Sequence, residues 1–152
     1  TIGNTDSVET TAPDEILYTD QMQAKYFIEK TGIDCLAIAI GTCHGIYPKD
    51  KKPELRIDIL DEIKKVVNVP LVLHGGSSNK DSEIAKSVEH GVNKINISSD
   101  IKAAYYEKMR EVLQEASLRE PNQIQPICVE AMKKVAFDKI DLFQAAGKAS
   151  LY

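Results

Sequence analysis

Two of the chain's three histidines stand in closely similar surroundings. His44 and His74 each precede a glycine, and each comes soon after a short apolar run. Neutral imidazole suits Zn²⁺, and a catalytic zinc site has about three protein ligands and one open position. The pair could therefore supply two ligands of one divalent metal, or each could be a loop residue that orients its neighbours. The third histidine, His90, precedes Gly91 at the end of a predicted helix, where we expect a surface residue.

Glycines and small polar residues follow His74, and small polar residues return later in the chain. Residues 75–77 are Gly-Gly-Ser and offer backbone N–H groups and a hydroxyl, while residues 96–99 offer an amide and two hydroxyls. Glycine lets the backbone approach a ligand closely, and a helix N-terminus favours an anion. The two loops could bind one phosphate, as neighbouring strand ends of a barrel do. The alternative is that Ser77, Ser99 and Asp100 are ordinary helix N-caps.

Other common catalytic patterns are absent from the sequence. It has no Ser-His-Asp order, no Walker-type loop and no GxGxxG. Lys94 falls inside a predicted strand, but a Schiff-base lysine needs an apolar pocket, and the neighbouring Asn93 and Asn96 do not indicate one. Metal and phosphate chemistry is therefore the better interpretation of the polar clusters.

Three short apolar runs predict β-strands, and each run leads into one of these clusters. The runs cover residues 35–40, 69–73 and 92–97, and the first is typical of a strand buried on both faces. Apolar residues at helical spacing predict helices around them. We place these helices from Thr19 or Asp20 to Lys30, closed by Gly32, and at about residues 53–67, 80–90, 99–116 and 122–139, the last with its start delayed by Pro126.

The order of these elements predicts an α/β fold with a parallel sheet. Consecutive strands lie roughly 22 to 35 residues apart, which suits a right-handed βαβ crossover. The two folds in which such units commonly occur are a doubly wound sheet and a (β/α)8 barrel. Three strands complete neither, and their unpaired edges would be a liability. We therefore expect the later part of a larger barrel, or a chain that pairs with another polypeptide.

Composition narrows the classes of function. The chain has 152 residues, 43% hydrophobic and 28% charged, with a net charge of -4, which excludes a disordered chain. The net charge gives no positive potential that would attract nucleic acid, and the longest apolar run of the sequence is too short to span a membrane. Three irregularly spaced cysteines favour a reducing compartment, the cytoplasm. Neither a signal peptide nor an initiator methionine is visible, so we expect a trimmed start or a piece of a longer chain.

The three strand ends resemble those of the class II, metal-dependent ketose-bisphosphate aldolases, and most closely the short-type branch with the tagatose- and fructose-bisphosphate aldolases. The motifs are DCLAIAIGTCHGIY, VPLVLHGGSS and GVNKINISSD, in that order. The stretches AKYFIEKTGID and KIDLFQAAGKA are also similar, so the resemblance covers nearly the whole chain. It implies one partial domain over residues 1–152, the C-terminal part of a (β/α)8 TIM barrel without its N-terminal half.

The resemblance also assigns roles to individual residues. His44 and His74 match two of the family's three zinc-binding histidines. The family's Asp-His pair, which supplies a proton-transferring Asp and a further zinc ligand, is not in this sequence. The opening residues resemble a mobile loop in which Asp6, or as a second candidate Glu9, would be the acidic residue that handles a substrate proton. The residues that match the substrate and phosphate site are Gly45, Gly75, Gly76, Ser77, Asn96, Ile97, Ser98 and Ser99.

The implied reaction is aldol cleavage or condensation of a ketose 1,6-bisphosphate, of fructose or tagatose type, with dihydroxyacetone phosphate and an aldehyde as products. The implied cofactor is Zn²⁺, with a monovalent cation such as Na⁺ or K⁺ as a further candidate. The implied partners are the phosphorylated ketose, the remaining N-terminal half of the barrel and further copies of the protein. We expect the chain by itself to be inactive. The alternatives are a non-catalytic phosphosugar-binding module and a different metal-dependent barrel lyase or epimerase.

Overall fold

The computed structural model describes residues 17–42, 54–77 and 79–151 of the chain. Four residues singled out above, Asp6, Glu9, His44 and Gly45, lie outside these ranges. The chain divides into two compact units, Thr1–Ile97 and Ser98–Tyr152.

The described part of the first unit is a three-stranded parallel sheet with three helices, as the alternation of apolar runs and helical patterns predicts. The strands lie side by side in sequence order. They are β1 (Leu36–Ile38), β2 (Leu71–Leu73) and β3 (Val92–Ile95). The helices are α1 (Gln21–Thr31), α2 (Ile57–Val66) and α3 (Asp81–Glu89).

The core of this unit lies where the sheet meets the helices. The central strand β2 is buried along its length, as expected for a parallel strand covered on both faces. The first strand departs from the prediction, because Ala37 and the preceding Cys35 are exposed while Ile38 is only 2% exposed. Since β1 is an edge strand of the sheet that the described residues form, burial on both faces is not observed for it within these residues. The fully buried apolar side chains described in this unit are Ile38, Ile40, Leu60, Ile63, Leu71, Leu73 and Ile84.

A bulge shifts the register between β2 and β3. Leu71 pairs with Val92, whereas the next residue, Val72, pairs with Lys94, so Asn93 is the extra residue. The side-chain oxygen Oδ1 of Asn93 accepts a hydrogen bond of 3.1 Å from the N–H of Leu71, which replaces a lost ladder bond. Bulges of this kind re-aim the residues that follow them. The bulge thus precedes the segment that carries Lys94 and Asn96.

Helix α1 begins and ends as its capping residues predict. The Asp20 carboxylate accepts from the N–H groups of Met22 and Gln23, and Gly32 closes the helix with a left-handed φ of 64°. Capping by Asp and termination by glycine are the usual pair of signals.

Helix α2 begins at Ile57, later than the prediction from residue 53. The preceding segment is tied down in a non-helical form. The N–H of Arg56 donates to the carbonyl of Ile40 at 2.8 Å, and the N–H of Leu55 donates to the Glu83 carboxylate at 3.3 Å. Leu55 is also 5% exposed, so tertiary contacts delay the helix.

The second unit is a helical hairpin. Helix α4 (Ser99–Val112) packs on α5 (Pro121–Leu142), and a short 3-10 turn (Ala149–Leu151) follows. Helix α4 ends four residues before the predicted boundary. The buried residues Val112, Ile124 and Cys128 form the core, flanked by Tyr105, Met109 and Leu118.

Helix α5 contradicts the expectation that Pro126 delays its start. The helix begins at Pro121, and Pro126 lies inside it. Proline suits the first helical position, because that N–H has no intrahelical partner. Ile124 and Cys128, which flank Pro126, are buried against α4, and this packing holds the helix despite the missing donor. Among the described residues, no helix is long and apolar enough to cross a membrane.

Candidate functional site at three strand ends

Hydrogen bonds join the carboxyl ends of the three strands. The Thr42 hydroxyl, just beyond β1, donates to the carbonyl of His74 at 2.6 Å. The N–H of Asn96 donates to the carbonyl of Leu73 at 3.0 Å, and the N–H of Gly76 donates to the carbonyl of Asn96 at 3.3 Å. The structure thus brings together the predicted site residues that follow β2 and β3.

The side chains of His74 and Asn96 meet at this edge. Nδ2 of Asn96 lies 3.3 Å from Nδ1 of His74, and both residues are half-buried. Oδ1 of Asn96 accepts a hydrogen bond of 2.5 Å from Nζ of Lys94. The ammonium group therefore fixes the orientation of the amide, with its NH2 group toward the imidazole. In this orientation the amide of Asn96 can donate to Nδ1 of His74 in the imidazole tautomer whose proton is on Nε2.

His74 fits the predicted role as a metal ligand through Nδ1, the ring nitrogen that faces the Asn96 amide. A divalent metal binds neutral imidazole through its unprotonated nitrogen, so a metal at Nδ1 would take the place of the hydrogen bond from Asn96. Within residues 17–42, 54–77 and 79–151, no three His, Cys, Asp or Glu side chains lie close enough to hold a metal. His74 thus fits as one ligand, and the predicted second ligand, His44, lies outside the described ranges.

The glycine loop after His74 is packed against the end of β3. A Cβ built on Gly76 would lie 2.6 Å from Cγ2 of Ile95 and 3.0 Å from Cδ1 of Ile97. Gly75 has a left-handed φ of 67°, and the whole Gly-Gly-Ser segment is buried. Glycine is therefore required at position 76 by packing and favoured at position 75 by backbone conformation. The sequence predicts that the Gly76 N–H binds a ligand, and in this structure it donates to the carbonyl oxygen of Asn96.

The structure also tests the capping alternative for the serines. The N-cap of α3 is Lys80, so Ser77, which is 3% exposed, does not cap that helix. Ser98 is at the N-cap position of α4 but makes no side-chain capping bond. Ser99 is the first residue of α4 and is 5% exposed. Ser77 and Ser99 are therefore not simple caps, and the phosphate role of these residues stays a prediction.

Sequence reasoning missed Asn79, which lies directly behind the glycine loop. Its side chain is 8% exposed, and Nδ2 donates to the carbonyls of Gly75 at 2.8 Å and Ser77 at 3.1 Å. Oδ1 of Asn79 is buried and has no hydrogen-bond partner among the described residues. An asparagine after Gly-Gly-Ser-Ser is typical of a turn, so the sequence carries no signal for this buried role.

Three exposed side chains near helix ends have shifted pKa values. A hydrogen bond from Arg56 lowers the pKa of the Asp58 carboxyl, and the same contact raises the pKa of Arg56. Hydrogen bonds from the side chain and backbone of Ser117 lower the pKa of Glu115. These shifts describe local surface pairing near helix ends.

Comparison with known proteins places this chain in a family. The family model for class II fructose-bisphosphate aldolase matches residues 1–148. The crystal structure of the YdjI aldolase from Escherichia coli K12 is 36% identical with a TM-score of 0.77, over 87% of this chain and 48% of its own. A provisionally assigned fructose-1,6-biphosphate aldolase from Coccidioides immitis is 29% identical with a TM-score of 0.84, over 99% of this chain and 52% of its own.

A third structure supports the fold. Fructose-bisphosphate aldolase from Campylobacter jejuni is 24% identical with a TM-score of 0.71, over 85% of this chain and 46% of its own. The chain thus spans about half the length of these relatives. The predicted fold class, part of a (β/α)8 TIM barrel, is confirmed. The predicted resemblance is confirmed as well, and the chain belongs to the class II fructose-bisphosphate aldolase family.

Proposed function

We propose that the full-length protein is a metal-dependent aldolase that cleaves a ketose 1,6-bisphosphate, of fructose or tagatose type, to dihydroxyacetone phosphate and an aldehyde. The single observation that carries this proposal is the contact between His74 and Asn96 at the joined strand ends. It places an imidazole that could bind a metal beside an amide that can donate to a substrate oxygen. Membership of the aldolase family supports carbon–carbon bond chemistry at this edge.

The phosphate of the substrate would bind at the glycine loop. The hydrogen bond from Gly76 to the Asn96 carbonyl is long, at 3.3 Å, and a charged phosphate oxygen is a stronger acceptor than a carbonyl. The buried Ser77 hydroxyl and the ammonium group of Lys94, which is held near Asn96, would add further donors. Gly45, Ile97, Ser98 and Ser99 join this proposed site from the family resemblance.

The proposed metal ligands of this chain are His44 and His74, with zinc as the metal. Zinc bound there would act as a Lewis acid on the carbonyl group of the substrate. The chain's own contribution is the pairing of Nδ1 of His74 with the Asn96 amide, because a metal at Nδ1 would release that amide to donate to a substrate oxygen. A monovalent cation near the phosphate, cytoplasmic location and a homo-oligomeric state are further parts of this proposal.

Proton transfer requires a group that the described residues do not supply. Cleavage needs a base that removes the proton from the hydroxyl beside the breaking bond. In the family that base belongs to the Asp-His pair, which is not in this sequence. We propose Asp6 as the acidic residue that handles a second substrate proton. The remaining half of the barrel would complete the site.

A metal-removal experiment tests the proposal. The full-length protein is assayed for dihydroxyacetone phosphate release from fructose 1,6-bisphosphate and from tagatose 1,6-bisphosphate. We expect release from at least one of them, loss of activity after dialysis against EDTA, and recovery with stoichiometric Zn²⁺. Binding of both sugars without cleavage, in the zinc-loaded protein, would instead favour a phosphosugar-binding module and contradict the proposal.

A further inference from the structure

The side chain of Asn79 spans the inner side of the glycine loop. One NH2 group donates both to the carbonyl of Gly75 at 2.8 Å and to that of Ser77 at 3.1 Å. The side chain is only 8% exposed, so both carbonyls are directed into the protein. Without this donor, two carbonyl oxygens that face the same point would repel each other and lack partners.

The loop is fixed on its other side by β3. The Gly76 N–H donates to the Asn96 carbonyl at 3.3 Å, and the missing side chain of Gly76 allows the approach to Ile95 and Ile97. Asn79 and the end of β3 therefore both contact the loop. When an anion binds, the Gly76 N–H would leave the Asn96 carbonyl, while the donation from Asn79 and the packing on Ile95 and Ile97 would keep the rest of the loop in place, which favours affinity.

Oδ1 of Asn79 indicates that the amino group is the functional half of the amide. This oxygen is buried without a partner among the described residues, and such a group is destabilising. A leucine at this position would avoid the unpaired oxygen and fill a similar volume. The donation to Gly75 and Ser77 is the gain that sets asparagine apart from leucine here.

We propose that Asn79 is a positioning residue for phosphate binding, which keeps the carbonyl oxygens of Gly75 and Ser77 turned away from the bound anion. This inference rests on the proposed function of the glycine loop. Carbonyl oxygens directed at a phosphate would repel it, whereas N–H groups attract it. Asn79 thus acts through the loop backbone and not by touching the substrate.

Two substitutions test this role in the full-length, zinc-loaded protein. Asn79→Leu removes the donor and the unpaired oxygen together, and Asn79→Asp keeps the shape but sets a third oxygen against the two carbonyls. Asn122→Leu, at an exposed position of α5, is the matched control. The measurements are the Kd for inorganic phosphate by calorimetry, KM and kcat with the better bisphosphate substrate, and the thermal unfolding midpoint.

We expect Asn79→Leu to raise the phosphate Kd and KM by about tenfold, with kcat changed less than about threefold, and to lower the unfolding midpoint, because the Gly75 and Ser77 carbonyls lose a donor. Asn79→Asp should weaken phosphate binding further, and Asn122→Leu should match the parent. Should Asn79→Leu fold poorly, Asn79→Asp decides the matter by the same split of KM against kcat. Unchanged Kd and KM, or a fall in kcat as large as the rise in KM, would overturn the role of Asn79.

Measurements on the unsubstituted parent protein distinguish the role of Asn79 from the proposed function on which that role depends. A parent that binds phosphate and cleaves the sugar, with Asn79 variants that do the same, overturns only the positioning role. A parent that neither binds phosphate nor cleaves either sugar overturns the proposed function, and the role of Asn79 with it.

Discussion

Nδ2 of Asn96 lies 3.3 Å from Nδ1 of His74, although the two residues are 22 positions apart in the chain. The contact joins the ends of β2 and β3, and the hydrogen bond from Lys94 sets the direction of the amide. A metal bound at Nδ1 would take the place of this contact and release the amide NH2 group for a substrate oxygen. The contact therefore links the proposed metal site to the proposed substrate site through one residue.

Loss of the Asn96 amide should weaken substrate binding more than metal binding. In the full-length, zinc-loaded protein, Asn96→Leu removes a donor for a substrate oxygen, so we expect KM for the bisphosphate to rise by about tenfold. Zinc affinity, measured by competition with a chromogenic chelator, should not fall, because a metal at Nδ1 of His74 no longer displaces a hydrogen bond. Asn122→Leu provides the control at an exposed site, and an equal KM in the two variants would contradict the substrate role of Asn96.

A methyl group at position 76 should destabilise the first unit. The added Cβ of Gly76→Ala would lie 2.6 Å from Cγ2 of Ile95, so β3 or the loop must shift, at about 1–3 kcal/mol in free energy of unfolding. Urea denaturation measures this value. Gly147→Ala is the comparison, since its Cβ meets nothing within 4 Å and adds only backbone strain at φ 74°. If both variants unfold at the same urea concentration, the tight packing at position 76 is wrong.

The two cysteines in the described ranges should respond differently to serine. Cys128 is 0% exposed in the core of the hairpin, so Cys128→Ser buries a hydroxyl and should lower the free energy of unfolding by about 1–3 kcal/mol. Cys35 is exposed, and Cys35→Ser should change it by less than about 0.5 kcal/mol. Chemical denaturation under reducing conditions, followed by circular dichroism, compares them. A larger loss at Cys35 would argue against the described core.

Replacement of the proline inside α5 should stabilise the hairpin. Pro126→Ala restores an N–H that can donate to the carbonyl of Asn122, and we expect a gain of about 1–3 kcal/mol in free energy of unfolding. Pro121→Ala, at the first helical position, should be close to neutral. Thermal and urea unfolding report both effects. Destabilisation by Pro126→Ala would show that the proline ring makes contacts that outweigh the missing hydrogen bond.

Local patterns in the sequence predict the helices, the strands and the edge of the sheet that carries the site. Apolar runs ended by polar clusters predict parallel strands, and parallel strands place their carboxyl ends together. His74 and Asn96 meet for this reason. The caps of α1 are also predictable from the sequence, because Asp20 and Gly32 act within one turn of the helix.

Where the structure differs from the predictions made from sequence, the cause is a contact between residues that are distant in the chain. The start of α2 depends on Ile40 and Glu83, which hold the segment before it, and no helical spacing reveals such contacts. Exposure of Ala37 depends on the position of β1 at the sheet edge. Pro126 is accommodated because flanking residues pack on α4. These effects arise only once the elements are assembled.

The buried role of Asn79 could not be predicted from sequence motifs. Its residue type fits an exposed turn, and only the folded loop shows two carbonyls converging on its buried amino group. The glycines, by contrast, were predicted to approach other groups closely, and Gly76 does so against Ile95. The residues that would touch substrate were therefore easier to predict than the one that supports them.

The most direct test of the account is the activity of His74→Ala in the full-length protein, measured with its zinc content. The account predicts that kcat/KM for the bisphosphate falls by about 100-fold or more and that zinc occupancy falls with it. His90→Ala, which removes a histidine paired with Asp61 between α2 and the end of α3, should keep both. Full activity and full zinc content in His74→Ala would contradict the proposed catalytic site.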